Sequence, residues 1–260
     1  MDMTRAITRR EAIGIGLSWV GVAALGCSLP EQPTGFDPID LLRINARPGT
    51  SAGPIAAGLH TLDVAPREAL LYVPTLYDPS TPAPIVLMLH GAGGTAQSAI
   101  NLFQNLSDST GLLLVAAKSL DPTWDGINSH YDSDIPLLNR ALELAFAMCN
   151  VDPARVGIEG FSDGASYALQ IGRANGDLFK RVVSFSAGLL LFTTGIQRPK
   201  FFVAHGAQDE IINVLTGRSI AAQLAQAYEV SYHEFTGGHS VPASVAADAV
   251  TFLTTAASAS

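Results

Sequence analysis

Apolar residues in this chain come in short unbroken runs, set between longer stretches in which they recur every three or four positions. Ile85-Val86-Leu87-Met88-Leu89 is the plainest run. It has no polar face, so the strand it predicts over 84–89 must be covered on both sides. Similar runs predict strands over 70–73, 112–117, 155–161, 182–185 and 201–204. An alternating pattern over 231–235 predicts an outer strand. Helical spacing predicts helices over 96–108, 133–148, 163–173, 215–228 and 242–254. Strand and helix alternate from residue 69 onward. That order predicts an α/β domain over 67–260, with a mostly parallel central sheet flanked by helices. No repeat and no insertion long enough for a large cap domain interrupts it. In such sheets, sites form at the carboxyl ends of the strands.

The first residues follow another pattern. Thr8-Arg9-Arg10-Glu11 precedes an apolar run over 12–26, the length of a signal-peptide core and too short to span a bilayer. Residues 1–26 are therefore expected to be a signal peptide, and the paired arginines point to the twin-arginine type. Ala24-Leu25-Gly26-Cys27 resembles a bacterial lipoprotein box, although Ala24 stands where leucine is commoner. The resemblance implies lipidation of Cys27, export, and attachment to a membrane by the lipid alone. Proline, glycine and polar residues then predict a tether and irregular segment over 27–66, with room for an early edge hairpin.

Charge and cysteine content narrow the picture. The chain has 23 acidic and 15 basic residues, a net charge of −8, which provides no basic face for nucleic acid. Its two cysteines are Cys27 and Cys149. A lipidated Cys27 leaves Cys149 without a disulfide partner, as a small apolar residue at a helix end.

Gly160-Phe161-Ser162-Asp163-Gly164 carries the strongest chemistry. It sits where a predicted strand meets a predicted helix, and G-x-S-x-G there forms a sharp turn that lifts the serine hydroxyl clear. A serine hydroxyl is a weak nucleophile near neutral pH and needs a base, which in turn needs an acid to orient it. Downstream histidines are His205, His233 and His239. His239 lies in the glycine-flanked loop Gly237-Gly238-His239-Ser240 and is the best-mounted base. His233 falls within the outer strand, and His205 ends a strand ahead of an acidic loop. Asp209 in that loop is the candidate acid, with Glu210 as its nearest rival and Asp248 a distant one. A tetrahedral intermediate also needs amide donors. Asp163 offers one at the helix start. Ala92 offers the other, within His90-Gly91-Ala92-Gly93-Gly94 after the strand over 84–89.

Together these residues resemble the α/β-hydrolase superfamily, and more narrowly bacterial esterases related to polyhydroxybutyrate depolymerases, feruloyl esterases and the phospholipase/carboxylesterase group. The resemblance also covers Thr123-Trp124-Asp125, Val151-Asp152-Pro153-Ala154-Arg155-Val156, Asn175-Gly176-Asp177-Leu178-Phe179, His205-Gly206 and Gly238-His239-Ser240-Val241-Pro242. It spans about residues 68–255. It implies Ser162, Asp209 and His239 as a catalytic triad in the superfamily's chain order, with Ala92 and Asp163 as oxyanion donors. The implied activity is serine carboxylic-ester hydrolysis on a small acyl, aryl or polymer ester, with no metal or cofactor. A peptidase or amidase using the same triad is the rival enzyme. A surface binding protein on a degenerate hydrolase fold is the non-enzymatic alternative.

The segment over 119–134 follows a strand and is expected to overhang the site. Trp124, His130 and Tyr131 are its candidate substrate-binding residues. The alternative for Trp124 is packing beneath the loop. Asp132 or Asp134 is expected to cap the next helix. A calcium site from Asp121, Asp125, Asp132 and Asp134 is a minor alternative.

Overall fold

The computed structural model describes residues 3–7, 38–49, 53–131, 133–191 and 195–256. Cys27, Asp132 and most of the expected signal peptide lie outside the described residues. Nine strands among the described residues form one sheet: β1 (Met3–Ile7), β2 (Gly58–Leu62), β3 (Ala69–Val73), β4 (Ala83–Leu89), β5 (Leu113–Ala117), β6 (Val151–Phe161), β7 (Arg181–Phe185), β8 (Lys200–Gly206) and β9 (Val230–Phe235). Their order is β1-β9-β8-β7-β6-β4-β5-β3-β2. Strands β5, β4, β6, β7, β8 and β9 run parallel; β3 is antiparallel to β5, β2 at that edge is antiparallel to β3, and β1 at the other edge is antiparallel to β9. This is the α/β-hydrolase fold. Strand β1 lies at the sheet's edge beside β9, and the eight strands from Gly58 onward pair without it.

The apolar runs are explained by two cores, one on each face. Ile85, Leu87, Leu113, Val115 and Ile158 face α3 (Asp134–Met148), α4 (Asp163–Ala174) and α5 (Val214–Leu224). Val86, Met88, Leu114, Val183 and Phe202 face α2 (Ala96–Thr110) and α6 (Ala243–Thr254). Alternate residues of each strand thus enter opposite cores, so a polar residue on either face would be buried.

Three features differ from expectation. Strand β6 begins at Val151 rather than at 155. Helix α5 ends at Leu224 rather than at 228, because turns over 225–227 redirect the chain into β9; Tyr228 instead packs on Phe201 with ring centroids 4.9 Å apart. The described part of the expected tether is docked on the domain. Short helix α1 (Pro38–Leu41) leads into Arg43, which makes two hydrogen bonds of 2.9 Å to the Asp177 carboxylate. The Ile44 N–H donates to Asn175 Oδ1 at 2.8 Å, and Asn175 Nδ2 donates to the Leu42 carbonyl at 2.8 Å. Strand β2 is the early edge strand, paired antiparallel with β3.

Candidate active site

Ser162 sits between β6 and α4 with φ 57° and ψ −118°, a backbone conformation that non-glycine residues rarely adopt. Its neighbours must be small. A Cβ at Gly160 would drive into the Gly164 carbonyl, and one at Gly164 would drive into the Leu89 and His90 carbonyls. The turn is anchored on both sides. The Ser162 N–H donates to the Phe185 carbonyl at 2.9 Å, and the Ser166 N–H donates to the Ser162 carbonyl at 3.1 Å.

His239 and Asp209 meet Ser162 from the ends of two further strands. His239 Nε2 lies 2.9 Å from Ser162 Oγ, and His239 Nδ1 lies 2.8 Å from Asp209 Oδ2. Asp209 can only accept, so Nδ1 carries the proton and Nε2 is left to accept from the serine hydroxyl. The ring of Phe161 packs on His239 with centroids 4.8 Å apart. Asp209 Oδ1 accepts from the Ile211 and Ile212 N–H groups at 3.0 and 2.9 Å. Burial pushes the Asp209 carboxyl up, but those amides and His239 outweigh it, and the group titrates below its usual range.

The rival histidines are engaged elsewhere. His205 Nε2 donates to the Ile212 carbonyl at 2.8 Å and lies 3.5 Å from Asp209 Oδ2, bracing the acid loop. His233 bonds Ser231 Oγ at 2.7 Å and stacks on Phe202. Glu210 is exposed.

The loop over 90–94 lies against the elbow, since a Cβ at Gly91 would come within 3.3 Å of Ser162 Cβ. His90 holds it. Its Nδ1 donates to the Gly91 carbonyl at 2.7 Å, and its Nε2 accepts from the Ser119 N–H at 3.1 Å. Burial lowers its pKa, in keeping with the neutral ring that this pairing requires. Ala92 is exposed at the tip. Asp163 is the first residue of α4, where helix N–H groups lack intrahelical acceptors, and its side chain accepts from Thr123 Oγ1 at 2.6 Å.

The segment over 119–134 departs from expectation. Trp124 is fully buried rather than lining a pocket; its indole N–H donates to the His90 carbonyl, and its ring packs on His90 and Tyr167. A large aromatic gains more from burial with its N–H satisfied than from exposure at a rim. His130 is exposed and Tyr131 half-buried, and neither lines the cavity beside Ser162. Asp125, not Asp134, accepts the first amides of α3, from Ser133 and Asp134 at 2.9 Å each, and the expected cap at Asp132 lies outside the described residues. Its other oxygen takes the Tyr167 hydroxyl at 2.8 Å. Asp134 accepts from the Leu120 and Asp125 N–H groups. These carboxylates are occupied in fixing the loop, and the described residues contain no His, Cys, Asp and Glu cluster arranged to hold a metal ion.

A cavity of about 430 Å³ opens beside the elbow. Leu89, Ala92, Leu102, Phe161, His239 and Val241 are among its walls, and Glu159 lines it. Sequence reasoning missed Glu159. Its signal was available: the one charged residue in the stretch over 156–160, where β6 is buried on both faces.

Residues 119–257 match the profile of the phospholipase/carboxylesterase family, a segment that includes Ser162, Asp209 and His239. The chain belongs to that family. Family membership agrees with the sheet order and the strand–turn–helix at Ser162. Feruloyl esterase C of Emericella nidulans is 29% identical over 166 residues, covering 60% of this chain; the match spans 59% of that protein's length. The crystal structure of esterase PE8 has a TM-score of 0.56 at 24% identity, covering 70% of this chain and 97% of its own. A ferulic acid esterase from Anaeromyces mucronatus, solved with ferulic acid, has a TM-score of 0.56 at 17% identity, covering 80% of this chain and 93% of its own. At these identities the two solved structures speak for the fold alone.

Proposed function

We propose that the protein is a serine carboxylic-ester hydrolase. The observation that carries this reading is the hydrogen-bonded line from Asp209 through His239 to Ser162 Oγ. Ser162 Oγ attacks the ester carbonyl while His239 Nε2 takes its proton. The C–O bond then breaks, and the alcohol leaves with that proton, giving an acyl-enzyme. Water enters, gives a proton to Nε2, and attacks the acyl carbon; the acid departs and Ser162 regains its hydrogen. Asp209 stays ionised throughout and steadies the imidazolium. The amides of Ala92 and Asp163 are proposed to stabilise the oxyanion.

Family membership and similarity to a feruloyl esterase favour esters over amides, and aryl or small acyl esters within that class. Wild-type protein is expected to hydrolyse p-nitrophenyl acetate and butyrate, and Ser162→Ala to abolish that turnover. Equal rates in the two proteins would overturn the assignment. The proposed export and lipid anchor have a separate test: Cys27→Ser should release the protein from membranes, and unchanged fractionation would remove the anchor.

A further inference from the structure

Glu159 stands three residues before Ser162 on β6, between Met88 of β4 and Val183 of β7. Those neighbours belong to the core packed by α2 and α6, so the carboxyl is on the apolar side of the sheet. It is 1% exposed, and its Oε1 has no hydrogen-bond partner among the described residues. An unpaired acid in a core costs stability that leucine or methionine would not. Nothing in the packing requires it, yet it lines the cavity shared by Ala92 and His239.

We infer that this cavity is a subsite for a hydroxyl-bearing part of the substrate, and that Glu159 is the residue that selects it; the inference rests on the ester-hydrolase reading of Ser162. The walls from Leu89, Ala99, Leu102, Phe161 and Val241 suit an apolar body. The single buried acid suits one polar group on that body. Burial raises the carboxyl well above its ordinary pKa and so favours the neutral acid, which has one O–H to donate and one carbonyl oxygen to accept. A phenol or alcohol offers the reciprocal pair. A cationic group fits less well, because the acid would have to ionise inside an apolar core. An anionic group would find no positive partner among the cavity's lining residues. Glu159 does not touch the reacting atoms, so its effect should appear in selectivity, chiefly through KM.

Two matched ester pairs test this on the full chain. Methyl 4-hydroxycinnamate and methyl cinnamate place the hydroxyl on the acyl side; 4-hydroxybenzyl acetate and benzyl acetate place it on the alcohol side. Wild type should prefer the hydroxylated member of at least one pair by about tenfold in kcat/KM, mostly through KM. Glu159→Leu should remove that preference, and Glu159→Gln, which keeps a donor and an acceptor, should restore part of it. Glu159→Met is a second truncation should the leucine variant not fold. Lack of preference in wild type for both pairs overturns the subsite, as does a preference that survives truncation. If wild type turns over neither these esters nor p-nitrophenyl acetate, the ester-hydrolase reading itself falls. The subsite falling alone leaves p-nitrophenyl acetate turnover intact in wild type.

Discussion

The indole N–H of Trp124 donates to the main-chain carbonyl of His90 at 2.8 Å, joining the loop after β5 to the loop after β4. The tie holds the glycine-rich loop against the elbow from below. Trp124→Phe keeps an aromatic ring but removes the donor, and should cost about 1–3 kcal/mol of stability. Trp124→Ala also opens a cavity and should cost about 3–5 kcal/mol. Urea unfolding curves measure both. An unchanged midpoint in the phenylalanine variant would show that the loop is held by other contacts.

Asp209 and Glu210 are adjacent in sequence but have different surroundings. Asp209 is buried against His239, whereas Glu210 faces solvent. Asp209→Asn should lower kcat by roughly 10³–10⁴-fold, because the amide cannot hold His239 in the required tautomer. Glu210→Gln should leave kcat within about twofold of wild type, as expected for a surface substitution. Reversal of this pattern in steady-state assays would assign the acid to Glu210.

Gly164 is constrained by backbone rather than by a movable side chain. Gly164→Ala presses its methyl group onto the Leu89 and His90 carbonyls, which belong to β4 and the start of the 90–94 loop. The strain should destabilise the fold by about 1–3 kcal/mol and displace the serine. Thermal unfolding and p-nitrophenyl acetate turnover should both fall; a variant with wild-type values for both would contradict the packing described.

Asp177 gives a pH signature. Hydrogen bonds from Arg43, aided by Arg47, hold its carboxyl at about 2, below its ordinary 3.8. A depressed folded-state pKa stabilises the fold above the unfolded value, and that stability is lost as pH falls through the folded value. Wild type should therefore lose more stability than Asp177→Asn between pH 5 and pH 2. Denaturant titrations at the two pH values measure the difference. Parallel losses would mean that the ion pair adds nothing to stability.

Cys149 is buried and free, and burial pushes its thiol up to about 12. In a Cys27→Ser protein it should resist a thiol-reactive disulfide reagent at pH 8 and react with one equivalent after unfolding. Rapid labelling of the native protein would place the thiol at the surface.

The sequence shows the alternating strands and helices because burial on both faces leaves unbroken apolar runs, as at Ile85 to Leu89. The elbow is legible because backbone crowding demands glycine at 160 and 164. Trp124 is different. A large aromatic in a loop can turn inward or outward with the same neighbours in sequence, and only the distant His90 carbonyl decides. The docking of Arg43 on Asp177 depends on a contact 134 positions apart, which local pattern does not encode. Glu159 reads as a misfit within a strand, and its meaning depends on the cavity that α2, the 90–94 loop and residues 239–241 enclose.

The docked segment also sets an orientation. Helix α4 starts at the elbow and runs for 12 residues to Ala174, about 18 Å, so Asn175 and Asp177 lie toward the edge of the sheet opposite Ser162. Leu42 to Ile44 are held there. The chain therefore enters the domain at the edge opposite Ser162, and the segment over 38–44 stays clear of the approach to the nucleophile.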